Sequence, residues 1–351
     1  MIFKMTGLLM ILASNYVIKA QFFCKDRNGK RVDWFIGYKQ PKNRSQIYPG
    51  STFHYADKDS TEWGPAEDLK SKKNAVAVTL KQYYERKTKE VFYYFYSDQN
   101  PGEEKKSHGN RAHAKGVAVF GGNSGFWLIH SVPKFPPIKH YSYPQNGETY
   151  GQSFLCVTLK TTSIEVFAKA MKYIYPAVYY ENVPKNFLKL FPFLEDMKSL
   201  KIKNMVNTSL IQTFKSIDGT RFYDFAKTKK FDEGIMLSDL YSELVAKQMK
   251  VSLFTETWMN GAAKDLDSKC NALYKVMNVV ELKVANNKFS NNNDHSKWAI
   301  GENKAKPLVC VGDINRQQSQ KKRGGGAVCF ENTKIWKLYH ESILKVENCK
   351  V

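Results

Sequence analysis

Two short triplets, His113-Ala114-Lys115 and His295-Ser296-Lys297, each set an imidazole two residues from an ammonium group. On an extended chain, residues i and i+2 share a face, so each triplet presents the two groups side by side. That pair suits a phosphodiester. The ammonium neutralises a non-bridging oxygen, while the imidazole attacks phosphorus or protonates a departing oxygen. A single His-x-Lys in a lysine-rich chain reads as a solvated surface pair. Two copies, 182 residues apart and one in each half of the chain, are a stronger signal.

Elements to position such groups are legible around them. Apolar, β-branched or aromatic runs at Ala75–Leu80, Val91–Tyr96, Gly116–Phe120, Phe126–His130, Val251–Thr257 and Val276–Val284 read as strands. A helix is expected from Thr162, where Thr162-Ser163-Ile164-Glu165 has the form of a capping box. Ile164, Phe167, Met171 and Ile174 recur at helical spacing, and Pro176 marks the end. A second helix is expected from Ser238 to Lys250. The polar run Asn291-Asn292-Asn293-Asp294 puts a loop before the second triplet. Strands and helices in both halves imply an α/β (α+β) fold.

Composition narrows the setting. The 351 residues carry 54 Lys+Arg against 33 Asp+Glu, a net charge of +21, with 42% hydrophobic residues. A disordered basic tail or a disulfide-held mini-protein is excluded. The charge points to a polyanion: nucleic acid, an anionic membrane surface or a sulfated glycan. Residues 1–20 read as a secretory signal, with Lys4, the apolar run Gly7–Ala13 and the small Ala20. That run is too short to span a bilayer, and no later stretch does better. Residues 21–185 hold 25 basic and 15 acidic residues, and residues 186–351 hold 27 and 18, so no detachable tail carries the charge. The six cysteines, Cys24, Cys156, Cys270, Cys310, Cys329 and Cys349, imply disulfides in a secreted chain and allow 15 pairings. No Cys-x-x-Cys spacing suggests a metal site. Asn43 and Asn207 head glycosylation sequons.

With the two triplets, several further segments resemble the deoxyribonuclease II family within the phospholipase D superfamily. These are Val32-Asp33-Trp34-Phe35 with Tyr38-Lys39, Gly125 to Pro133 with Phe135-Pro136-Pro137, and Tyr150-Gly151-Gln152-Ser153 before Cys156. Gly312-Asp313-Ile314-Asn315-Arg316 before Arg323-Gly324-Gly325-Gly326 completes the set. The resemblance runs from about residue 24 to 349. It implies a phospholipase D-like pseudo-dimer: a half at 21–185 and a half at 186–351, each offering one His-x-Lys to a shared site. It also implies the pairings Cys24–Cys156, Cys270–Cys349 and Cys310–Cys329.

The family mechanism uses no metal or cofactor. One histidine attacks phosphorus to form a phosphohistidine, the other protonates the 5′ oxygen, and water releases a 3′-phosphate. Superfamily analogy makes His113 the nucleophile and His295 the general acid, with Lys115 and Lys297 on the non-bridging oxygens. Free imidazole titrates near ~6.5, so one neutral and one charged histidine imply an acid preference. The superfamily often has an acid five positions after the lysine. Phe120 and Glu302 stand there, and Glu302 is read as a surface residue.

The resemblance also draws His130 into the site, against its reading as a core histidine. Arg316 and Arg323 are candidate contacts to backbone phosphates, the latter within Lys321-Lys322-Arg323-Gly324-Gly325-Gly326. Trp34, Trp127 and Trp298 could stack bases but read more readily as core; His54, His108, His140 and His340 read as surface. The expected substrate is double-stranded DNA held by its backbone, in a lysosomal or extracellular setting without membrane association; a homodimer remains open. Two other classes compete: a secreted, inactive binder of nucleic acid or glycan, and a ribonuclease using the 2′-hydroxyl. Both triplets being complete favours the nuclease over the binder.

Overall fold

The structure is a computed structural model that describes residues 20–103, 108–199, 207–231 and 239–349. Of the expected signal segment, all but Ala20 lies outside these residues, as does Ser238. Two large antiparallel-dominated sheets form the molecule. All strands of the first lie between Trp34 and Asn182, and all of the second between Ser209 and Val346. The mixed α/β class expected from the sequence is the class observed.

The two sheets share a central strand order. In the first, Phe92–Ser97, Lys115–Gly121, Ser124–His130, Gln152–Lys160 and Trp34–Lys39 lie side by side. In the second, Leu253–Thr257, Lys297–Gly301, Leu308–Gly312, Gly325–Glu331 and Arg221–Lys227 follow the same sequence of neighbours. Each His-x-Lys lysine opens the second strand of its series, and each histidine stands two residues before that strand.

Strand alternation sends one face of each sheet towards a common core. Trp34 of the first sheet meets Phe222 and Phe330 of the second, with ring centroids 6.3 and 4.7 Å apart. The helix Ile164–Ile174 lies in this middle layer: Phe167 touches Phe92, Tyr94 and Trp127, while the helix also packs on the Arg221–Lys227 strand. The helix Thr333–Ser342 does the same from the other half, with Tyr339 against Tyr38 and Trp298. One apolar core therefore joins the halves. Separate clusters cover the outer faces.

Several local expectations need correction. Ala75–Leu80 is the start of a helix, Ala75–Arg86, not a strand. Asn74 caps it by accepting from the Ala77 amide at 2.8 Å, and Val76, Thr79, Leu80 and Tyr83 line its buried side. The helical period emerges only when Tyr83 is counted with the shorter apolar run. Thr162 does not cap the next helix: Thr161–Ser163 form a 3-10 turn and the α-helix begins at Ile164 without a side-chain cap. It ends as expected before Pro176, through Tyr175 at φ 58°. The Ser238–Lys250 helix is a π-helical turn, Leu240–Val245, continuing as Ala246–Met249. His54 is buried, its Nδ1 2.8 Å from the Gly64 carbonyl oxygen, so it is not a surface residue.

Cys24–Cys156, Cys270–Cys349 and Cys310–Cys329 are bonded as expected, each within one sheet's half. Asn43 and Asn207 are exposed. No helix among the described residues is long and apolar enough to cross a membrane.

Two hydrogen bonds lock the halves together where the triplets lie. The His113 amide donates to the Gly324 carbonyl, and the His295 amide to the Gly151 carbonyl, both at 2.9 Å. Each glycine precedes a central strand of the opposite half. A buried lysine holds each glycine segment: Lys39 donates to the Glu148 and Tyr150 carbonyls, and Lys227 to those of Gln320, Lys321 and Arg323. Gly324 cannot carry a side chain, because a Cβ would run into the Ile174 carbonyl. Gly324→Ala is expected to lower kcat/KM at least about tenfold and stability by about 1–3 kcal/mol. Gly109→Ala, whose Cβ would meet nothing within 4 Å, serves as the neutral control. Parallel assays and melting curves check this; equal behaviour of the two variants counts against the cross-brace.

Candidate active site

The lock described above brings the two histidines face to edge, with ring centroids 6.3 Å apart and planes at 89°. Lys115 and Lys297 are almost wholly buried beneath them. In the first half, Ser97 pairs with Lys115 across the sheet, so the next residue, Asp98, reaches the triplet. Its carboxylate lies 2.5 Å from Lys115 Nζ, 2.9 Å from Arg323 Nη2 and 4.0 Å from His113 Nε2. Burial works to raise the Asp98 carboxyl, but Lys115 and Arg323 prevail and hold it below the usual range. Arg323 also donates to the carbonyls of Arg111 and Ala112, so a residue of the second half clamps the approach to His113.

The second triplet is held differently. Lys297 Nζ lies 3.1 Å from His295 Nδ1 and donates to the His295 carbonyl at 2.6 Å. Gln152 Oε1 stands 3.4 Å from the same Nδ1, and Ser131 Oγ fixes Gln152 at 2.6 Å. Ser153 Oγ accepts from the Lys297 amide at 3.2 Å. Behind the triplet, Asp294 accepts from Tyr38 and from Ser296 Oγ, the latter at 2.8 Å. Glu256 is fully buried nearby, and neither carboxyl oxygen has a hydrogen-bond partner among the described residues. Burial and Asp294 push it well above the ordinary value, against Lys297.

Electrostatics follow from this crowding. Burial, then Lys115, Lys297 and Arg323, hold His113 well below its ordinary value. Burial, then Lys297 and Lys115, do the same to His295. Lys297 is itself lowered, chiefly by burial and next by Lys115. Lys115, Lys297 and Arg323 around two imidazoles of depressed basicity make a receptor for a single anion, such as a phosphodiester group.

The remaining expected residues are distributed unequally. His130 is buried between Phe135 and Phe154, with centroids 5.3 and 6.1 Å away, and burial brings it down to about 3. It is a neutral ring beside Lys115 and no proton donor at mildly acid pH. Arg316 departs from its expected contact with substrate phosphate: it is 2% exposed and spent on internal bonds. It binds Asp239 at 3.3 Å, Asn278, and the Asp267 carbonyl at 3.2 Å. Trp34, Trp127 and Trp298 are core, none more than 3% exposed. Glu302 is half-buried just beyond the Lys297–Gly301 strand.

Asp98, Gln152, Glu256, Asp294 and Trp258 were not singled out as site residues by sequence reading. Trp258 packs edge-on against His295, with centroids 4.3 Å apart. Only the strand pairing Thr257↔Lys297 brings it there, as Ser97↔Lys115 brings Asp98.

The family model described as Deoxyribonuclease II matches residues 23–349. The chain is 39% identical over 329 residues to cell-death-related nuclease 7 of Caenorhabditis elegans, covering 93% of this chain and 88% of that one. It is 36% identical to plancitoxin-1 of Acanthaster planci, covering 93% and 92%. Human deoxyribonuclease-2-beta is 33% identical, with 94% and 92% covered. The residues that meet at the site and the match along nearly the whole sequence agree: the chain belongs to the deoxyribonuclease II family.

Proposed function

We propose that this protein is an acid endodeoxyribonuclease that hydrolyses DNA phosphodiester bonds without a metal. The observation that carries the reading is the meeting of His113 and His295 at 6.3 Å, flanked by Lys115, Lys297 and Arg323. The nuclease names of the relatives support the same class. A phosphate between the two rings would find the protein cations on its non-bridging oxygens, where charge grows in the pentavalent state.

His113 acts as the nucleophile. Burial and the neighbouring cations depress its basicity, which favours the neutral ring whose lone pair attacks. Attack on phosphorus breaks the bond to the 5′ oxygen and gives a phosphohistidine. His295 delivers a proton to that oxygen, and Lys297 Nζ and Gln152 Oε1 orient its ring at Nδ1. Water, deprotonated by the now neutral His295, then cleaves the phosphohistidine and leaves a 3′-phosphate and a 5′-hydroxyl. Asp98 limits mutual repulsion between Lys115 and Arg323 and keeps both pointed at the phosphate position. His130 supports Lys115 from the core and exchanges no proton.

The secretory route, through a lysosome or to the outside, is the proposed setting. Three disulfides and the exposed sequons Asn43 and Asn207 support it.

The decisive assay incubates the purified protein with plasmid DNA at pH 5 in EDTA. The parent protein is expected to nick the plasmid, and His113→Ala and His295→Ala to lose at least about a thousandfold in rate. Binding without nicking by the parent would select the inactive binder. Equal nicking by all three proteins would reject the two-histidine mechanism.

The pH profile carries an independent sign. Both imidazoles are held below their ordinary value, so at neutral pH both are uncharged and the general acid lacks its proton. Activity should rise as pH falls below about 6.5, then decline once the nucleophile is also protonated. Initial rates from pH 3 to 8 check this, and a flat profile between 5 and 8 contradicts it.

A further inference from the structure

Trp258 differs from the other tryptophans of this chain in one respect. Five of the six indole N–H groups have an acceptor: Trp34 donates to Thr220, Trp63 to Ser342, Trp127 to Tyr96, Trp298 to Tyr38 and Trp336 to Gly301. Trp258 Nε1 has none among the described residues. A buried tryptophan that merely fills a core ordinarily satisfies its N–H. This residue is only half-buried, whereas the three tryptophans first considered as stacking residues are sealed in the core.

Its surroundings are equally specific. Trp258 belongs to the second half and packs on His295; Tyr150, from the first half, lies against it with centroids 4.5 Å apart and planes at 51°. Tyr150 is half-buried and immediately precedes Gly151, whose carbonyl holds the His295 backbone. Trp258 therefore borders His295, with Tyr150 of the other half packed behind it. At the corresponding position beside His113 stands Asp98, a carboxylate already bound to Lys115 and Arg323. The flanks of the two histidines are unlike: one is ionic and the other aromatic.

We propose that Trp258, backed by Tyr150, is a stacking site for the nucleobase of the nucleotide whose 5′ oxygen departs. The inference rests on the reading of His295 as the general acid, since that places the departing nucleotide on the His295 side. Every base has a π face, so such a site favours no sequence strongly.

The test uses a single-stranded oligonucleotide with one phosphodiester among phosphorothioate links, and versions with an abasic nucleotide on either side of that bond. Cleavage by the parent protein and its loss in His295→Ala establish the nuclease reading first; failure there rejects that reading rather than the stacking site. Given cleavage, Trp258→Ala should lower kcat/KM about tenfold on the intact strand, and Trp258→Phe should recover most of it. An abasic nucleotide on the 5′-oxygen side should cost the parent a similar factor and leave Trp258→Ala no further loss. An abasic nucleotide on the other side should leave the difference between parent and variant intact. If Trp258→Ala loses equally on all three strands, the ring only props His295 and the proposal is overturned. If the difference vanishes with the abasic nucleotide on the other side, the assigned nucleotide is wrong. If Trp258→Ala is too unstable to assay, Trp258→Phe is compared with Trp258→Leu on the same strands. Equal losses of those two on every strand overturn the proposal.

Discussion

The site depends on two main-chain hydrogen bonds, His113 to Gly324 and His295 to Gly151, each 2.9 Å long and each crossing between halves. Neither histidine is positioned by its own half alone. A change in the relative setting of the sheets would move both rings together. The buried ammonium groups of Lys39 and Lys227 give the arrangement its stiffness, because each gathers the carbonyls of the segment that presents the glycine. Burial lowers Lys39 to about 7. The shared aromatic core between the sheets supplies the rest, since the halves cannot slide without breaking the packing of Trp34 on Phe222 and Phe330.

Around that frame the site manages a surplus of positive charge. Lys115, Lys297 and Arg323 converge in a poorly solvated place, where unpaired cations would be costly. Asp98 offsets the first and third, and Asp294 lies within electrostatic reach of Lys297. The remaining positive potential falls at the two rings. The overall charge of +21 extends the same preference over the surface, drawing a polyanion towards the site with a strength that falls as salt rises.

The symmetry of the strand order is broken at the chemistry. Asp98 and Trp258 follow corresponding strands, and Gln152 and Gly325 open corresponding strands, yet their chemistry differs completely. A symmetric scaffold with unlike flanks fits the proposed reaction, in which one imidazole stays neutral and the other carries a proton.

His113, Lys115, His295 and Lys297 were readable from the chain because a repeated local triplet carries its own chemistry, whatever the fold around it. The α/β class, five of the six strands and the apolar stripe from Ile164 to Ile174 were readable because their periods are local. The strand expected at Ala75–Leu80 failed for the same reason, its window being too short for the helical period to emerge. Arg316 stood as a candidate phosphate contact because no partner for its guanidinium is visible in one dimension; Asp239 and Asn278, which absorb it, lie 77 and 38 residues away. Asp98 and Trp258 reach the triplets only through cross-strand register, and register is decided when sheets assemble. Residue type thus determined which groups could do the chemistry. Tertiary structure decided which of them meet, because contacts between distant residues depend on pairing and packing that no local pattern encodes.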